Sequence, residues 1–235
     1  MSALRIAVVY PDLLGTYGDT GNGLILERRA TERGIVAELL LCRSSEPLPA
    51  ADLYCLGGGE DGPQVLAAER LIADGGLARA VADGAAVLAV CAGFQIIGAS
   101  FPDASGVVHE GVGLLDVVTT KGTGARCVGE VAVDPDPSLG LARLSGFENH
   151  SGVSTVGDAA LGVVRAGRGN GTDAGTEGAF RGRVLGTYLH GPVLARNPDL
   201  ADLMLRWATG RDVLDPLDDR AEHELRAERL AAVGC

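Results

Sequence analysis

Cys91 stands where an apolar run, Ala85–Val90, gives way to "AGFQIIG", a stretch with helical spacing. Its neighbours are small: Ala89 before it, Ala92 and Gly93 after it. A sharp strand-to-helix elbow needs small neighbours, because the backbone doubles back on itself there. Such an elbow lifts its side chain to the carboxyl edge of a parallel sheet, where open α/β folds bind ligands. The helix that follows aims its positive end at the sulfur and favours a nucleophilic thiolate. Cys42, Cys55 and Cys127 lack this setting and are expected to be buried core residues.

A thiolate that attacks a carbonyl needs two backbone N–H groups to hold the oxyanion, and a base. Ala92, directly after the nucleophile, supplies one N–H. The second is expected from Gly58 or Gly59 in "GGGED", Gly57–Asp61, which closes the preceding strand at the same edge of the sheet. Glycines let a backbone amide turn inward and approach a substrate. An ordinary glycine-rich turn or a phosphate loop is the alternative, but neither GxxxxGK[ST] nor GxGxxG is present. The base is sought among His109, His150, His190 and His223. His190 closes "GRVLGTYLHG", read as a strand, which brings it to the carboxyl edge near Cys91. His150, in the loop "GFENHSG", is its rival. His109 lies in a Gly- and Val-rich turn, and His223 on a polar C-terminal helix.

These residues need a frame to hold them. Leu4–Tyr10, Ile35–Leu41, Asp52–Leu56 and Ala85–Val90 read as strands, the first a continuous apolar run suited to a sheet covered on both faces. Between them a helix is expected over about Gly23–Arg33, capped by Thr20. Another begins near Pro63, breaks at Asp74–Gly76 and resumes to about Ala82. A further helix starts at Ala92. Alternating strand and helix predicts a flavodoxin-like, mostly parallel sheet with helices on both faces. After Phe101 the strands become shorter and are joined by Gly, Pro and Asp turns. Two helices close the chain, the last with Glu222 and Arg226 at i,i+4 spacing. With no repeat, linker or low-complexity tract, residues 1–235 read as a single domain.

Composition narrows the function classes. Apolar residues are 46% of the 235 and aromatics only 4%, which suits an aliphatic α/β core. A net charge of −11 gives no footprint for nucleic acid or anionic lipid. Five cysteines with no CxxC pair argue against a disulfide framework or zinc, and the His, Cys and Asp spacings suggest no metal site. No stretch is long enough to cross a bilayer and no signal peptide is evident, so a reducing cytoplasm is the expected location.

Gly57–Gly59, the elbow Cys91–Gln95 and the late Tyr188-Leu189-His190-Gly191 resemble the class I (triad-type) glutamine amidotransferases, in the cobyric-acid-synthase-like branch. "VVYPDLLGTYGDTGN", "GGGEDGPQ", "KGTGARCVGE" and "TYLHGPVLARNPDLAD" are similar, within that branch, to the free-standing glutaminase subunits of lipid II isoglutaminyl synthases. The resemblance covers nearly the whole chain. It implies the class I amidotransferase fold, Cys91 as nucleophile and His190 as its proton carrier. Most class I members carry an acid two residues after that histidine. Here His190-Gly191-Pro192 has none, a departure these glutaminase subunits share; either a Cys91–His190 dyad suffices, or an acid comes from elsewhere in the chain or from a partner.

The resemblance further implies that Arg126 binds substrate. A guanidinium grips a carboxylate with two parallel hydrogen bonds, so the α-carboxylate of L-glutamine is its expected partner. The alternative is a surface arginine paired with Glu130. Gln95 is expected to brace the pocket beneath the elbow, with a helix-surface amide as its alternative. The implied partner is a Mur-ligase-like, ATP-dependent synthetase subunit forming a heterodimer with this chain at the inner face of the membrane. ATP and Mg would belong to that partner, with no cofactor in this chain, and lipid II would be reached only through the partner. Three other readings stand beside this one: a glutaminase serving another synthetase, a DJ-1-like protein with a cysteine elbow, and a catalytically silent binding subunit, which the missing acid after His190 would favour.

Overall fold

The computed structural model describes residues 3–235. Strands and helices alternate through the first half: β1 (Leu4–Val9), α1 (Gly21–Glu32), β2 (Ala37–Cys42), β3 (Leu53–Leu56), α2 (Asp61–Asp74), α3 (Gly76–Ala82), β4 (Ala86–Val90) and α4 (Ala92–Ile97). Short strands follow: β5 (Ser100–Pro102), β6 (Val108–Glu110), β7 (Val117–Lys121), β8 (Cys127–Pro135), β9 (Leu144–His150), β10 (Gly152–Val156), β11 (Gly162–Ala166), β12 (Thr176–Glu177), β13 (Ala179–Arg181) and β14 (Val184–Thr187). Helices α5 (Val193–Arg196), α6 (Pro198–Thr209) and α7 (Arg220–Ala231) end the chain.

The central sheet runs β13-β14-β4-β3-β1-β2. Its five inner-to-edge strands from β14 to β2 are parallel, and β13 pairs antiparallel with β14. Every residue of β3 and β4 is buried, which is why both read as unbroken apolar runs. Helices flank the sheet, α1 packing beside α5 and α6, and α2 beside α4. The break between α2 and α3 falls at Gly75, whose φ of 64° lies in the left-handed region glycine tolerates. This is the expected flavodoxin-like strand order.

Two further four-stranded sheets, β10-β7-β5-β6 and β12-β11-β8-β9, carry most of the second half. They attach at the functional edge of the central sheet. Phe147 of β9 forms a two-way backbone bridge with His190, N–H to carbonyl at 3.0 and 2.9 Å.

Three local expectations need correction. Thr20 is itself helical in φ and ψ and makes no side-chain cap, so α1 begins at Gly21. β14 stops at Thr187, and His190 lies beyond it in the bridge to Phe147. Arg226 does not pair with Glu222; it reaches Asp199 of α6 at 2.6 Å, because that face of α7 is turned inward and Arg226 is largely buried. Of the expected core cysteines, Cys42 and Cys55 are buried and Cys127 is half-buried. Burial pushes the Cys55 thiol up to about 12.

Candidate active site

The register of β3, β4 and β14 aligns Leu56 with Ala89 and Val90 with Thr187, so Cys91 emerges between the ends of its two neighbours. Its N–H donates to Thr187 O at 2.8 Å. Its φ is 53° and its ψ −107°, a conformation that costs a non-glycine residue about 1–3 kcal/mol. Cys91 is thus a strained elbow, as its small neighbours predict. Gly93 N–H donates to Gly57 O at 3.1 Å and ties the elbow to the glycine loop. A Cβ on Gly93 would stand 2.8 Å from Leu56 Cβ, so only glycine allows this approach.

The two candidate oxyanion donors on the glycine loop differ in what their N–H groups meet. Gly58 N–H is spent: it donates to Asp19 Oδ2 at 2.9 Å, and that corrects its assignment. The reason is local, since Asp19 is fully buried against the loop and needs donors there. Gly59 lines the cavity in front of Cys91, and its N–H has no hydrogen-bond partner among the described residues. Ala92 also lines that cavity. As the first residue of α4 it has no intrahelical acceptor for its N–H.

A carboxylate does reach His190, from the far end of the chain. His190 Nδ1 lies 3.0 Å from Asp19 Oδ2. A carboxylate only accepts, so Nδ1 carries the proton and Nε2 is left for other chemistry. Nε2 is buried and makes no hydrogen bond among the described residues. Burial works against the charged ring, but the bond to Asp19 and the nearby Cys91 sulfur outweigh it and raise His190 to about 10. Tyr17 packs on the imidazole at 4.6 Å between ring centroids. A Cβ on Gly58 would meet His190 Cε1 at 2.8 Å and Tyr17 Cδ2 at 2.9 Å, so Gly58 is required for space although its N–H is engaged.

The turn into His190 is fixed by Glu177. This buried carboxylate accepts from Tyr188 N–H at 2.8 Å and from the Thr187 hydroxyl. Burial pushes its carboxyl up, against the pull of those bonds.

Gln95 is buried, not on a helix surface. It accepts from Gln64 Nε2 at 2.8 Å and donates to the Tyr188 hydroxyl at 3.0 Å. Tyr188 bonds onward to Ser154, and Ser154 to Thr119. This chain of side chains spans the floor of the cavity and joins the helices to the antiparallel strands. His150 also lines the cavity, stacked on Tyr188 at 3.7 Å. Its Nδ1 is committed to Gly152 O at 2.9 Å, whereas His190 is the histidine that Asp19 orients.

Arg126 is exposed at the mouth. It donates to Asn149 Oδ1 at 2.6 Å and Asn149 O at 3.1 Å. It does not pair with Glu130, which is taken by Arg196 at 2.5 Å. The cavity holds about 210 Å³, room for a small amino acid. His109 pairs with Asp103 at 3.1 Å, and His223 is on α7, away from the cavity wall. Among the described residues no group of three or more His, Cys, Asp and Glu side chains is placed to hold a metal ion.

Sequence reasoning missed Asp19, Tyr17, Gln64, Tyr188 and Asn149. Asp19 and Tyr17 lie in "LLGTYGDTG", a stretch whose local pattern signals only a loop.

Residues 5–198 match the CobB/CobQ-like glutamine amidotransferase domain. A curated relative from Staphylococcus aureus (strain N315), the lipid II isoglutaminyl synthase (glutamine-hydrolyzing) subunit GatD, is 32% identical, with 98% of this chain and 95% of the relative covered. The protein of the same name from Streptococcus pneumoniae (strain ATCC BAA-255 / R6) is also 32% identical, over 96% of this chain and 90% of its own. Among solved structures, a glutamine amidotransferase superposes with a TM-score of 0.56 at 19% identity, covering 87% of this chain and 98% of that one.

Proposed function

This chain belongs to the CobB/CobQ-like glutamine amidotransferase family, and from that premise we propose that it is the glutamine-hydrolysing subunit of a lipid II isoglutaminyl synthase. The observation that carries the reading is a strained cysteine elbow facing a buried histidine that a carboxylate orients, at the wall of a cavity sized for an amino acid. Two relatives bearing that subunit's name, matched almost end to end, support it.

The chemistry follows from the positions. Cys91 Sγ attacks the carboxamide carbon of L-glutamine. The oxyanion is held by the N–H groups of Ala92 and Gly59. His190, charged by its contact with Asp19, gives its Nε2 proton to the departing nitrogen, since an amide nitrogen leaves poorly without one. Ammonia departs and a glutamyl thioester remains. Water then attacks the thioester, giving its proton to Nε2, and glutamate and the thiolate are released. Covalent catalysis divides a difficult amide cleavage into two easier steps. Arg126 holds the substrate's α-carboxylate.

Ammonia is protonated in neutral water and loses its nucleophilicity, so it is passed directly to a partner. In this reading the partner is a Mur-ligase-like subunit that spends ATP, with Mg, on activating the α-carboxyl of D-glutamate in lipid II. The product there is D-isoglutamine, and the two subunits form a heterodimer at the inner face of the membrane. No helix among the described residues is long and apolar enough to cross a membrane. In this reading the partner carries the contact with lipid II.

The test is ammonia and glutamate release from L-glutamine, with and without that ligase. Wild type should release both, and Cys91→Ser and His190→Ala should release neither. Wild type inactive under both conditions would refute the glutaminase reading. Hydrolysis without amidation of lipid II by the pair would transfer the chain to another synthetase.

A further inference from the structure

Charge is divided across the cavity. Glu60, Asp61 and Gln64 reach it from the start of α2, whereas Lys121 and Arg126 reach it from β7 and the turn before β8. Asp103, also at the wall, is engaged by Ser105, His109 and the Val107 N–H. The side chains of Glu60 and Asp61 make no hydrogen bond or ion pair among the described residues, and they offset the positive end of α2. A zwitterion fits this division in one direction, with its carboxylate toward Arg126 and its ammonium toward α2.

Gln64 is the buried group on the ammonium side, 5% exposed. Its Nε2 is committed to Gln95 Oε1, and Gln95 in turn donates to Tyr188. The linked amides therefore fix which atom of Gln64 remains. Gln64 Oε1 accepts no hydrogen bond among the described residues and is not sealed from solvent. A free carbonyl oxygen that shares the cavity wall with two unpaired carboxylates matches a cation rich in N–H donors.

We propose that Gln64 is a specificity-determining residue whose Oε1 accepts a hydrogen bond from the α-ammonium group of the substrate, selecting α-amino acid amides over simple amides. The proposal rests on the glutaminase reading and deepens it.

The test is calorimetric binding to the full chain carrying Cys91→Ala, which cannot turn over. Three ligands separate the ends of the substrate: L-glutamine, glutaramate without the α-ammonium, and 4-aminobutanamide without the α-carboxylate. Gln64→Leu should weaken L-glutamine and 4-aminobutanamide about tenfold or more, as loss of a charged hydrogen bond does, and leave glutaramate within about twofold. Gln64→Glu, which keeps an acceptor oxygen, should restore L-glutamine to within about threefold, and it covers the case in which the leucine variant fails to fold. Equal weakening of all three ligands, no weakening of any, or a loss confined to glutaramate overturns the proposal. If L-glutamine fails to bind the parent Cys91→Ala chain, the glutaminase reading falls with it; intact binding with unmoved ratios defeats the role of Gln64 alone.

Discussion

Asp19 and His190 lie 171 residues apart in sequence, yet Asp19 Oδ2 and His190 Nδ1 are 3.0 Å apart. The same oxygen accepts from Gly58 N–H, so one carboxylate orients the imidazole and anchors the glycine loop at once. Asp19 takes the orienting place that a carboxylate two residues beyond His190 would hold, a position that Pro192 occupies here.

Asp19→Asn should therefore impair the chemical step rather than substrate binding. With the orienting acid gone, the imidazole loses its fixed tautomer and part of its hold on a proton. Steady-state kinetics should show kcat lower by about 10²- to 10⁴-fold, the usual range for general acid–base catalysis, with KM nearly unchanged. The alkaline limb of the pH–rate profile should move to lower pH. An unmoved limb would separate Asp19 from proton transfer.

Stability should carry the same signature. His190 is raised in the folded chain from 6.5 to about 10. A raised folded value means that folding favours the protonated ring. The stabilisation is complete below the unfolded value and is lost as pH rises through the folded one. Urea unfolding of wild type and Asp19→Asn should thus differ most at about pH 6, with the gap closing towards pH 10. A gap constant across that window would contradict the assignment.

Much of this frame is legible in local patterns. The buried runs of β1, β3 and β4, the glycine break at Gly75 and the small residues around Cys91 each announce themselves within a few positions. The elbow was readable because steric demand at a tight turn restricts residue type. Asp19 was not, because a carboxylate in a polar loop looks the same whether it faces solvent or a histidine on another strand. The inward turn of Arg226 and the early end of β14 share that cause: both are decided by tertiary neighbours, Asp199 and Phe147. Gly58 shows the subtler failure. The glycine loop suggests its N–H as an oxyanion donor, but that N–H serves Asp19, and it is the space beside His190 Cε1 that demands a glycine.

Arg126 offers a cleaner separation of binding from folding. It is exposed, and its contacts within the chain go to Asn149 alone. Arg126→Ala should raise KM for L-glutamine about tenfold or more while the melting temperature stays within about 2 °C of wild type. Arg126→Lys should recover only part of the loss, since an ammonium cannot reproduce a two-pronged grip. An unchanged KM in the alanine variant would remove Arg126 from the substrate site.

The wide separation of Asp19, Cys91 and His190 along the chain has a consequence for biosynthesis. As a ribosome extends this polypeptide, the thiol emerges long before its imidazole, and β14 cannot yet lie against β4 to hold the elbow through Thr187. The nascent chain thus carries a cysteine without the machinery to use it. Hydrolytic power arrives only when His190 has been made and brought back to Asp19 in the loop before α1. A product of translation that stopped short of His190 would be harmless to the cell's glutamine, and activity itself reports that synthesis has passed that residue.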